Sequence, residues 1–65
     1  MSTLEFYLTR ADQCARDADE TALVNVKERH LRAQAAWLAM AEKLERTTTA
    51  RAVALAEKAA TQYSP

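Results

Sequence analysis

Apolar residues recur along this chain at spacings of three and four, first as Leu4, Tyr7, Ala11, Cys14 and Ala18, then as Leu23, Val26, His30, Ala33, Trp37, Met40 and Leu44. Each set lies on one face of an α-helix. The phase slips between Ala18 and Leu23, which one continuous helix could not absorb without turning its apolar face away. The pattern therefore predicts two helices that fold back on each other. Antiparallel pairing about that slip sets Leu4 against Leu44, Tyr7 against Met40, Ala11 against Trp37, Cys14 against Ala33 and Ala18 against His30. The largest side chain then meets one of the smallest, as close packing requires. The expected core is Leu4, Tyr7, Ala11, Cys14 and Ala18 from the first helix with Val26, Ala33, Trp37, Met40 and Leu44 from the second.

Polar residues mark the helix ends. Ser2 and Glu5 have the spacing of a capping box, so the first helix is expected over about residues 3–21. Asn25 and Glu28 repeat that spacing, with Val24 just outside as a staple residue, and predict a second helix over about 25–46. The link between them, Ala22 to Val24, contains no glycine and is expected to tuck in Leu23. Thr47, Thr48 and Thr49 are three consecutive β-branched residues, which resist helix mildly and predict a break. Ala52, Leu55, Ala59 and Tyr63 then form a weaker stripe, read as a third helix over about 50–62 or, since no glycine or proline intervenes, as an extension of the second.

Composition supports helix throughout: glycine is absent, the only proline is Pro65, and alanine is abundant. The expected fold is a single all-α domain over residues 1–65, an antiparallel helical hairpin with a shorter third helix or an extended second one. A chain this short hides only roughly 60% of its unfolded surface, so completion by dimerisation into a helix bundle is expected. Side chains left off the seam point the same way. Leu31 and Leu38 lie beside the main stripe of the second helix, Leu8 and Ala15 flank that of the first, Phe6 stands on another side, and Leu55 belongs to the third stripe. Phe6, Leu8, Leu31, Leu38 and Leu55 are thus the candidate interaction residues, because large apolar side chains outside a core mark contact surfaces.

Charge narrows the partners. Lysine plus arginine and aspartate plus glutamate number nine each, so no long-range field draws the chain to nucleic acid or an anionic membrane. Glu28 with Arg32 and Glu42 with Arg46 have the spacing of helix-surface ion pairs. The longest apolar run, residues 35–41, is far short of the roughly 20 residues that cross a bilayer. Without a basic, apolar leader, a cytoplasmic location is expected.

Cys14 and His30 are the natural candidates for a nucleophile and base. Both lie on the core stripe without a third residue or an oxyanion donor, and a lone helical cysteine behaves as a small hydrophobe. The expectation is no catalytic residue. Glu28 and His30 point to different faces, which leaves too few converging ligands for a metal, and no cofactor motif occurs.

The stretch Thr21-Ala22-Leu23-Val24-Asn25-Val26-Lys27-Glu28-Arg29-His30-Leu31-Arg32, with Ala35-Ala36-Trp37-Leu38-Ala39-Met40-Ala41, Glu45-Arg46-Thr47 and the opening Phe6-Tyr7-x-x-Arg10-Ala11, resembles a family of small uncharacterised alphaproteobacterial proteins of the sphingomonad type. The likeness covers residues 6–47. It implies a bacterial cytoplasmic origin and a helical hairpin, and it supplies no catalytic residue to carry over. The expected function is a non-enzymatic interaction module or small accessory subunit, acting as a homodimer or docked on a larger protein. The alternative is a small regulatory protein, antitoxin-like or transcription-associated, that uses the helix-2 arginines as a dimer.

Overall fold

Two helices account for the described residues, 2–62, in a computed structural model. α1 spans Thr3–Glu20 and α2 spans Val24–Gln62. α1 starts where the capping box predicts: the Ser2 hydroxyl accepts from the Glu5 amide at 3.1 Å, with Ser2 extended at the N-cap. Replacing Ser2 with alanine removes that acceptor from a helix start that needs one. Ser2→Ala is expected to cost about 1 kcal/mol, read as a lowered thermal midpoint with native helicity unchanged.

The link is Thr21-Ala22-Leu23, built without any residue at positive φ. Thr21 is extended and its hydroxyl accepts from the Leu23 amide at 3.2 Å, a side-chain turn that replaces the missing glycine. This displaces the expected second capping box. The first helical bond of α2 joins the Leu23 carbonyl to the Lys27 amide at 2.9 Å, so Asn25 lies inside the helix. Leu23 is 66% exposed, contrary to the expectation that the link tucks it in. A two-helix tip has no third layer to cover it.

The threonine run does not end α2, and among the described residues no separate third helix forms. Each β-branched residue costs only a few tenths of a kcal/mol in a helix, and the Thr47 hydroxyl donates to the Lys43 carbonyl at 2.9 Å, so the helix absorbs its polar group. Thr61 repeats the device on the Glu57 carbonyl. Tyr63, the last member of the expected third stripe, lies outside the described residues.

The consequence is a large mismatch in length. At about 1.5 Å per residue α1 is roughly 27 Å long and α2 roughly 58 Å, and the molecule extends 66 × 20 × 11 Å. Its radius of gyration is 18.2 Å, against about 11 Å for a globular chain of this length. The start of α1 lies level with Leu44 to Thr49, since Ser2, Thr3 and Leu4 share a cleft with Leu44, Glu45 and Thr48. Beyond that level α2 runs on alone, and every residue from Thr48 to Thr61 is exposed.

The seam between the helices is narrow and made of small side chains. Ala11, Cys14, Ala18 and Ala41 are the buried apolar residues. Leu4, Tyr7, Val26, Ala33, Trp37 and Leu44 are half-buried around them. Met40 is corrected: it is 39% exposed, and Ala41 takes the buried position at 2%. Both follow Trp37 by a near-turn, and close approach of the two backbones selects the residue without a long side chain.

Candidate functional site

Trp37 organises the open half of the hairpin. Its ring lies 5.7 Å from that of Phe6, edge to face, and 5.8 Å from that of Tyr7, while the Arg10 guanidinium carbon stands 5.6 Å from the indole centroid. The indole thus meets α1 about one turn nearer its start than Ala11, the residue the register sets opposite it. Edge-to-face rings and a guanidinium over an indole are each favourable by about 0.5–1.5 kcal/mol. Phe6 is thereby drawn onto the edge of the seam, although 45% of it stays exposed.

The remaining candidates fall on the opposite flank. With about 100° of rotation per residue, Leu8 stands about 60° from Ala11, and Leu31 and Leu38 about 100–120° from Trp37 in the same rotational sense. In an antiparallel pair that sense brings all three to one side of the hairpin, with half-buried Ala15 between them, while Phe6, Arg10 and Met40 lie on the other. Leu8 is 43% exposed, and Leu31 and Leu38 are each 44% exposed. This flank forms an apolar strip along the hairpin. Leu55 lies apart from it along the axis: it follows Trp37 by about five turns, continues the seam face past the end of α1, and is 70% exposed. Leu23, Val24 and Val53 are exposed apolar residues that the sequence reading did not single out for contact. Only the end of a partner helix reveals the first two.

Chemistry-bearing residues are sparse. Cys14 is buried at 8% exposure and His30 is half-buried on the facing helix. Among the described residues, no three or more His, Cys, Asp or Glu side chains converge as metal ligands would. No helix there is long and apolar enough to cross a membrane. Among the described residues the ion pairs are local, Asp12 with Arg16 at 2.9 Å and Glu42 with Arg46 at 3.2 Å, the second as its spacing predicts. Exposed pairs of this kind contribute little to stability. Charge is nevertheless divided between the helices: α1 has five acidic residues against two basic, and α2 seven basic against four acidic. Compared with protein-family models, with curated proteins and with solved structures, the chain matches none.

Proposed function

We propose that this chain is a non-enzymatic helical-hairpin interaction module, which self-associates or docks as a small subunit on a larger protein. Its surface carries the reading. The accessible area is 5395 Å² for 7.3 kDa, about 1,200 Å² above the roughly 4,200 Å² of a compact monomer of that mass. A standard protein interface removes about 800 Å² from each partner. The excess is of that order, and it includes large apolar side chains on the Leu8, Leu31 and Leu38 strip and on the bare part of α2. A seam whose buried members are alanines and one cysteine leaves the hairpin marginal alone, so a partner that covers this surface also stabilises the fold.

Sedimentation equilibrium from micromolar to millimolar concentration, with thermal melts over the same range, tests this reading. Self-association raises the mass above 7.3 kDa and the melting temperature with concentration. A monomer that melts cooperatively at one temperature across the range, and retains no protein from its host, overturns it.

A further inference from the structure

Among the described residues no helix lies beside α2 past Thr47, yet its sequence continues a regular ladder. Steps of seven from Leu31 reach Leu38, Glu45, Ala52 and Ala59, and steps of seven from Gln34 reach Ala41, Thr48 and Leu55. A strict seven-residue repeat drifts by about 20° per heptad around a straight helix, as a left-handed supercoil requires. The ladder therefore winds from the Leu8 flank of the hairpin onto the bare segment without a break in phase. On the hairpin half it carries the larger residues Leu31 and Leu38, and on the bare half mostly alanine with the single large Leu55.

We infer that the ladder's exposed members, apart from Ala41, which α1 already encloses, form a seam with α2 of a second copy, antiparallel and overlapping end to end, so that each bare segment lies as a third helix against the other copy's hairpin. The inference rests on the interaction reading above and names its partner and geometry. With Val24 of one copy level with Gln62 of the other, Leu31 faces Leu55, Leu38 faces Thr48 and Gln34 faces Ala52. The ladder's large side chains meet each other once on each side of the two-fold axis and small ones elsewhere, which lets the helices approach to about 8–10 Å. Area agrees: the excess of about 1,200 Å² per chain exceeds the roughly 800 Å² per partner of a standard interface.

Charge favours one orientation by a small margin. Antiparallel overlap brings the bare segment, with Arg51 and Lys58 against Glu57, beside the last half of α1, where Asp12, Asp17, Asp19 and Glu20 outnumber Arg16, and beside residues 24–38 of α2, where Lys27, Arg29 and Arg32 outnumber Glu28. Parallel overlap sets the basic segments on each other and the acidic helices on each other. Gln34, Glu45 and Thr48 interrupt the ladder with polar groups, which fix register at a cost in affinity.

Two measurements on the full chain test this. A spin label on Ala60→Cys, with Cys14→Ala to leave one thiol and helicity checked by circular dichroism, gives a label-to-label distance of about 50 Å in the antiparallel dimer. A dimer with the labels within about 20 Å, as in parallel overlap or pairing of the bare segments alone, overturns the geometry and leaves the interaction reading standing. The second needs no change at Cys14. Leu31→Glu and Leu55→Glu, both at exposed positions, are each expected to weaken dimerisation on the order of 30-fold by sedimentation, with helicity retained. Dimerisation unaffected by either substitution overturns the proposal, as does a chain that stays monomeric, in which case docking on a larger protein is what remains.

Discussion

Trp37→Ala is expected to unfold much of the population at physiological temperature. The indole is the largest side chain in the seam and holds three neighbours on α1, Phe6, Tyr7 and Arg10. Truncating it removes their packing and leaves a gap that two helices cannot close without shifting. The cost is about 3 kcal/mol, at the low end for tryptophan because the ring is only half-buried. A core of this size supplies only roughly 3–5 kcal/mol in total, so the loss takes most of it. By far-UV circular dichroism the melting midpoint should fall by on the order of 15 °C. Phe6→Ala removes one edge-to-face contact and should cost about 1 kcal/mol. A Trp37→Ala chain that melts like the parent means the two helices do not meet through this residue.

The second large effect separates two adjacent residues. Ala41 is 2% exposed and Met40 39% exposed, so enlarging the first and truncating the second should have opposite weight. Ala41→Leu forces a branched side chain between backbones spaced for alanine and is expected to cost about 2 kcal/mol. Met40→Ala leaves the seam closed and gains helix propensity, for a net change within about 1 kcal/mol. Denaturant titration of both variants reads the difference directly. The reverse order, with Met40→Ala the more damaging, places Met40 in the seam, as the hydrophobic pattern alone suggests.

That pair also shows where periodicity stops being informative. After Trp37 both the third and the fourth residue satisfy a helical stripe, and a rule that ranks side chains by hydrophobicity chooses methionine. The structure chooses by volume, because Ala11, Ala18 and Ala41 let the helices come close. The same limit appears at Thr47, where β-branched residues predict a break and a hydroxyl bonded to the Lys43 carbonyl keeps the helix whole. Phe6 shows a third case. Its position off the stripe is legible, while its contact with Trp37 depends on the side to which the indole leans.

The sequence by itself determined the paired elements: an antiparallel hairpin, the cap at Ser2, the facing of Ala11, Cys14 and Ala18 by the Trp37 side of the second helix, and the leucines at 8, 31 and 38 off the seam, while it left a third helix or an extended second one open. These follow from spacing and local hydrogen bonding, which act within a few residues. Only the tertiary structure decided how long α2 is relative to its partner, which of Met40 and Ala41 is enclosed, and that Leu55 continues the seam face with no helix beside it. Those depend on how near two backbones come and where one of them ends. The start of α1 lies level with Thr48, and every residue of α2 from there to Thr61 is exposed.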